Sequence, residues 1–155
     1  MESTSLVGRT IDGKYRLDEL VGAGSMGTVY RATQLTLSKT VAIKVMQREL
    51  AQEDAYATRF KREAKAASRL DHPNSLRVLD CGDDDGLLYI AMEFIDGRDL
   101  LALLSEEWPL PSARIVDLLS QTLAGLAVAH DMGIVHRDLK PENVMVLRAK
   151  NDEGG

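Results

Sequence analysis

Cysteine is almost absent: Cys81 is the single thiol in 155 residues. One thiol excludes an internal disulfide framework and suits a reducing compartment, with Cys81 read as a small buried apolar side chain. Positive charge is also in short supply, 19 Lys and Arg against 24 Asp and Glu, a formal net charge of −5. Nucleic acid and anionic membranes reward clustered positive charge, so neither is expected as the main partner. No apolar run approaches the ~20 residues that span a bilayer; Leu100 to Leu104 is among the longest. Residues 1–8 lack the basic start and apolar stretch of a secretion signal. There is no internal repeat and no low-complexity tract. What remains is an ordinary balance, 45% apolar and 28% charged, expected to be cytoplasmic and soluble, without a membrane segment in this chain and large enough for a core.

The first half reads as strands. Lys14 to Val21, Thr28 to Thr33 and Lys39 to Gln47 are rich in Val, Ile, Tyr and Thr and are separated by turn-forming residues, which predicts an antiparallel meander. A helix is expected over Asp54 to Leu70, with Phe60, Ala64, Ala67 and Leu70 at helical spacing and Glu63 turned toward the buried face. His72-Pro73 stops it, and two more strands, Leu76 to Asp80 and Leu87 to Phe94, flank the acidic run Gly82 to Gly86. That run reads as a solvated hairpin loop rather than a metal site, because no other ligand-rich segment lies beside it. A long helix then runs from Pro111 to about Asp131, with Gly133 as its C-cap. Short apolar runs at Ile134-Val135 and Val144 to Leu147 flank a polar loop, and Asn151 to Gly155 carries turn chemistry.

Three segments carry chemistry. Gly22-Ala23-Gly24-Ser25-Met26-Gly27-Thr28-Val29 is a G-x-G-x-x-G-x-V between strands. Glycines let backbone approach phosphate oxygens closely, although a plain hairpin explains the pattern equally well. A dinucleotide-binding fold would need a helix next, and here a strand follows. In Val41-Ala42-Ile43-Lys44, the lysine is either a strand-edge residue with its head in water or the partner of Glu63, since a buried carboxylate needs one. The third segment, His136-Arg137-Asp138-Leu139-Lys140-Pro141-Glu142-Asn143, places a carboxylate and an amide five residues apart with a cation between them. Such a set can take a hydroxyl proton, neutralise a moving phosphoryl group and bind a metal ion.

Together these segments resemble the eukaryotic-type protein kinase family, and more narrowly its bacterial serine/threonine branch. Order and spacing agree: Lys44 follows Gly24 by 20 residues, Glu63 follows Lys44 by 19, and Asp138 follows Lys44 by 94. The resemblance, over Tyr15 to Leu147, implies an α+β, bilobal protein-kinase-like fold. It would comprise an N-terminal extension (1–14), an N-lobe of antiparallel sheet plus regulatory helix ending in the hinge (15–95), and an incomplete helical C-lobe up to the catalytic loop (96–155). It implies phosphoryl transfer from ATP, with Mg2+ or Mn2+, to serine or threonine of protein substrates; a kinase dimer is left open as a further partner. Val21, Gly22, Gly24 and Gly27 would form the nucleotide-binding hairpin. Val29, Ala42 and Met145 would sandwich adenine, with Met92 as gatekeeper and the backbone of Glu93-Phe94-Ile95 as hinge. Asp99 would bind ribose and Glu142 basic substrate residues. Lys44 and Glu63 would anchor the phosphates, Asp138 and Lys140 would act at the transferred group, and Asn143 would bind metal. His72, His130, His136 and Arg137 would be architectural.

Some features depart from the family pattern. Ala67 and Ser75 stand where larger or β-branched residues are usual. The Asp-Phe-Gly segment, whose aspartate is the second metal ligand, is not among these 155 residues. The 155-residue chain alone is therefore expected to transfer little or no phosphate and to expose the apolar face of the helix over 111–131. The alternatives are a short, pseudokinase-like module that binds nucleotide or a partner without catalysis, and a remnant that does not fold.

Overall fold

Alternation of apolar side chains along Val41 to Met46 builds the middle of a six-stranded antiparallel sheet, seen in a computed structural model that describes residues 5–24, 27–46 and 51–148. Its strands are β1 (Thr10–Ile11), β2 (Tyr15–Ala23), β3 (Gly27–Gln34), β4 (Lys39–Met46), β5 (Val78–Asp84) and β6 (Leu87–Glu93), in the order β1-β2-β3-β4-β6-β5. Because side chains alternate between faces, the register sorts them. Ile11, Tyr15, Leu17, Tyr30, Ala32, Ile43, Tyr89 and Ala91 form one buried cluster on one face. The opposite face carries Val29, Ala42, Lys44, Ile90 and Met92. At one end of that face, Met46 and Leu88 pack with Phe60 of helix α1 (Asp54–Ala67).

Residues 5–14, expected as an N-terminal extension, pack on this sheet: Ile11 is fully buried and β1 pairs with β2. The turn between β1 and β2 is fastened to β5 and β6. The Tyr89 hydroxyl donates to Asp12 at 2.7 Å, the Tyr15 hydroxyl to Asp80 at 3.0 Å, and Lys14 pairs with Asp80 at 3.3 Å. The two tyrosine rings meet edge to face, 5.9 Å apart.

Two sequence expectations need correction here. Helix α1 stops at Ala67, not Leu70: the following amides bond back to Ala64, Ala66 and Ala67, and the Ser68 hydroxyl donates to the Lys65 carbonyl. Strand β5 runs on through Asp84, so the acidic run is mostly strand. The turn is only Asp85-Gly86, both at positive φ (57° and 83°), the geometry of a two-residue hairpin turn. Its acids are used: Asp83 accepts the Gly86 N–H at 2.8 Å, and Asp84 pairs with Arg9 at 3.0 Å.

The chain divides into two compact units, the sheet unit just described (Met1–Asp71 with Leu76–Phe94) and a helical unit (His72–Ser75 with Ile95–Gly155). The helical unit contains β7 (Gly97–Asp99), α2 (Leu100–Glu107), α3 (Ser112–Asp131), a 3-10 turn (Pro141–Asn143) and β8 (Met145–Leu147). Helix α2 is an addition to the sequence reading; the Asp99 carboxylate caps it by accepting the Ala102 N–H at 2.8 Å. Helix α3 ends as expected at Gly133 (φ 76°), where Gly133 N–H donates to His130 O and Ile134 N–H to Ala129 O, a Schellman closure. Val116, Leu119 and Leu123 on α3 are 54–63% exposed, as the sequence led us to expect of this helix. The turn expected over Asn151 to Gly155, together with Ser25, Met26 and Gln47, lies outside the described residues.

Candidate active site

In the sheet unit the glycine-rich segment is the connection between β2 and β3. Gly22 sits opposite Val29, and the Gly24 N–H donates to the Gly27 carbonyl at 2.9 Å. The three glycines are there for different reasons. A Cβ on Gly22 would meet nothing within 4 Å and one on Gly24 only the Gly27 oxygen at 3.9 Å, whereas one on Gly27 would lie 2.4 Å from the Val45 carbonyl oxygen. Only Gly27 is demanded by the fold. Val21 is exposed at the open side of β2.

Lys44 is opposite Val29 on one side and Ile90 on the other, and Ala42 is opposite Met92. Directly opposed residues share a face, so Val29, Ala42, Lys44 and Met92 lie together on the sheet face away from the tyrosine cluster. Lys44 is half-buried. At the end of β6 the Glu93 N–H donates to the Arg77 carbonyl at 3.0 Å, and its carboxylate accepts the Arg77 N–H at 2.8 Å. The Arg31 guanidinium lies over the next ring, Phe94, 5.3 Å from its centre.

Glu63 does not stand where the sequence reading put it. The face of α1 that is buried is defined by Phe60 and Ala64. Glu63 lies at the flank of that face, its side chain 58% exposed and paired with Arg59 at 3.8 Å. Among the described residues there is no ion pair between Lys44 and Glu63. The physical reason is solvation: at the edge of a helix face, a carboxylate that can reach water and a cation one turn away gains more than one driven inward.

The helical unit gathers the other candidate set within one loop. The Asn143 side-chain amide donates to the Asp138 carbonyl at 2.8 Å and lies 3.4 Å from its carboxylate, while Lys140 Nζ is 3.5 Å from the same carboxylate. The Asn143 N–H closes on the Lys140 carbonyl at 2.9 Å. Asp138 N–H donates to His136 Nδ1 at 3.3 Å, which makes His136 a brace of the loop, and Arg137 between them holds a left-handed backbone (φ 67°). β8 pairs with β7 so that Met145 faces Asp99, and Gly97 allows the close approach, since a Cβ there would lie 2.2 Å from the Val146 oxygen. Ile95 joins Phe94 to this unit and is half-buried.

The donor set of the loop suits a hard divalent cation in one respect. With its NH2 group committed to the Asp138 carbonyl, Asn143 keeps its amide oxygen as a free acceptor, and oxygen is what magnesium or manganese takes. One amide oxygen is an incomplete shell, and among the described residues there is no cluster of three or more His, Cys, Asp or Glu placed to hold a metal. Arg31 and Arg77 were not singled out in the sequence. Arg31 shares a face with Val29 by its spacing of two, a usable signal; Arg77 acts through its backbone, which no side-chain pattern reports.

A glycine-rich hairpin, a strand lysine and this Asp-Lys-Asn loop, on a sheet unit followed by a helical unit, define a protein kinase domain. The family described as "Protein kinase domain" matches residues 15–152, and the chain belongs to it. The chain is 51% identical over 152 residues to serine/threonine-protein kinase pkn3 of Myxococcus xanthus and 37% identical over 141 residues to PrkC of Bacillus subtilis. Those matches take in 97% and 91% of this chain but 28% and 22% of the relatives. Its fold matches the crystal structure of the Mycobacterium tuberculosis PknI kinase domain with a TM-score of 0.80 at 34% identity, over 90% of this chain and 58% of that one. The chain thus spans about a quarter of the length of these curated relatives. No helix among the described residues is long and apolar enough to cross a membrane.

Proposed function

We propose that this chain supplies the nucleotide-binding and catalytic-loop portion of an ATP-dependent serine/threonine protein kinase. The observation that carries the reading is the loop in which Asp138, Lys140 and Asn143 converge within 3.5 Å. In the proposed reaction a substrate serine or threonine hydroxyl oxygen bonds to the γ-phosphorus as the bond to the β-phosphate oxygen breaks, and ADP leaves. Asp138 orients the hydroxyl and accepts its proton, and Lys140 offsets charge on the moving group. Lys44 holds phosphate oxygens, and the hairpin around Gly22, Gly24 and Gly27 covers them. Val21, Val29, Ala42, Met92 and Met145 enclose adenine, the backbone of Glu93 and Ile95 hydrogen-bonds it, and Asp99 takes the ribose. Asn143 would hold Mg2+ or Mn2+, which when bound neutralises phosphate charge. Glu63 would join Lys44 once α1 turns inward.

The chain spans about a quarter of the length of its curated relatives, so we assign transfer to the full-length protein. A protein substrate bearing serine or threonine is the expected acceptor, and a dimer with a second kinase domain is left as a proposal. The test is phosphorylation of a protein substrate by the full-length protein with labelled ATP. Asp138→Asn should abolish transfer while leaving nucleotide affinity within about twofold, and Lys44→Ala should weaken both. Transfer by Asp138→Asn at the wild-type rate would refute the assignment.

A further inference from the structure

Two consecutive residues at the end of the sheet unit are each held by a different neighbour, and neither contact was needed to recognise the family. Glu93 spends its carboxylate on the Arg77 N–H at 2.8 Å, while its own N–H donates to the Arg77 carbonyl at 3.0 Å. The Arg77 guanidinium in turn reaches Asp71 at 2.9 Å, just after helix α1. On the other side Phe94 lies under the Arg31 guanidinium, 5.3 Å from the ring centre, and Arg31 extends toward Glu19 of β2 at 4.0 Å. The peptide between Glu93 and Phe94 is therefore fixed from two directions, by the strand pair that carries the glycine hairpin and by the segment leading out of α1.

We infer that Glu93 and Arg31 are positioning residues for base selectivity, acting through the backbone they hold and not by touching the nucleotide. The inference rests on the kinase reading above, in which that backbone recognises the base. Adenine presents an amino donor beside a ring-nitrogen acceptor at its pairing edge, and guanine presents the reverse. A backbone stretch offering C=O and N–H in fixed order from Glu93 and Ile95, which flank the held Glu93–Phe94 peptide, discriminates between them only while its orientation is held, because hydrogen bonds weaken steeply with misalignment. Phosphate binding, by Lys44 and the glycine hairpin, is the same for both bases. Loosening either latch should erode the preference for adenine and leave the shared part of the affinity intact.

The experiment is calorimetric titration of the full-length protein with ADP and with GDP. Wild type should prefer ADP. Arg31→Ala and Glu93→Ala should each narrow the ADP-to-GDP ratio by about two- to fivefold, the size of one exposed cation–π contact or one hydrogen bond. Glu93→Gln, which keeps an acceptor oxygen, and Arg31→Lys, which keeps a cation over Phe94, should recover most of the ratio. Lys44→Ala should weaken both nucleotides alike. If the ratio is unchanged in Arg31→Ala and Glu93→Ala, or if both nucleotides weaken equally in them, the inference is overturned while the kinase reading stands. A wild-type protein that binds neither nucleotide overturns both.

Discussion

Glu63 pairs with Arg59 one helical turn before it, 3.8 Å away, and not with Lys44. Both partners are more than half exposed, so the pair contributes about 0.3–0.5 kcal/mol at most. Breaking the pair costs little, whereas drawing Glu63 inward would also have to shift Phe60 and Ala64, the buried residues of α1. Arg59→Ala is expected to shift the urea midpoint of unfolding very little. Glu63→Ala should leave the fold equally intact but lower the kcat/KM of the full-length protein by about tenfold or more, if phosphate anchoring by Lys44 needs a carboxylate partner during turnover. Equal activity of Glu63→Ala and wild type would show that Lys44 works without it.

Why the convergence of Asp138, Lys140 and Asn143 was legible and the setting of Glu63 was not is a matter of distance along the chain. Asp138, Lys140 and Asn143 are close in sequence, and one 3-10 turn suffices to converge them. The face that carries Lys44 is set by strand alternation, since a period of two leaves only two faces to choose between. A helix leaves a continuous choice. Glu63 lies about 60° around α1 from Phe60 and about 100° from Ala64 in the same sense, close enough to the buried face for the sequence to place it there and close enough to the edge for water to claim it. Helix α2 was overlooked because Leu100, Leu101, Leu103 and Leu104 make an unbroken apolar run without helical period; the signal present was its cap, Asp99. β1, two residues long, has no period at all.

The glycines separate fold from function. A Cβ on Gly27 would sit 2.4 Å from a backbone oxygen of the neighbouring buried strand, which cannot move aside like a side chain. Gly27→Ala should destabilise the sheet unit by about 1–3 kcal/mol, the usual range for overpacking. A Cβ on Gly22 meets nothing and one on Gly24 only an ordinary contact, so Gly22→Ala and Gly24→Ala should be close to neutral in unfolding, yet weaken ADP if the hairpin covers the phosphates as proposed. Denaturant unfolding and ADP titration of the three variants check the contrast; equal destabilisation by all three would contradict it.

The tyrosine cluster gives an alkaline limit to stability. Burial is the larger cause that pushes the Tyr15 hydroxyl up to about 12, with its hydrogen bond to Asp80 adding to it. Burial and the bond to Asp12 push Tyr89 higher still. Both groups have folded values raised above the unfolded ~10, so their contribution to stability is complete below pH 10 and is lost as pH rises from 10 toward 12. Unfolding midpoints should fall over that window, and of the four tyrosines, Tyr15 and Tyr89 should ionise only as the sheet unit opens, which tyrosinate absorbance follows. Tyr15→Phe should flatten the fall. A midpoint constant from pH 9 to 12 in wild type would refute the coupling.

Asp99 caps α2 and is proposed to hold ribose, and its substitutions can pull the two apart. One carboxylate oxygen accepts the Ala102 N–H at 2.8 Å and starts helix α2, whose Leu103 is fully buried. The other oxygen is the one available to a ribose hydroxyl, with Met145 opposite on β8. Asp99→Ala removes the cap and should cost about 1 kcal/mol in unfolding. Asp99→Ser keeps a capping oxygen but is too short to reach beyond it, so stability should stay near wild type. If Asp99 holds ribose, both variants should weaken ADP and should lose most of any discrimination between ADP and its 2′-deoxy form. Unfolding curves and calorimetric titration with the two nucleotides give the answer. Asp99→Ser that is stable and binds both nucleotides like wild type would leave Asp99 with the cap alone.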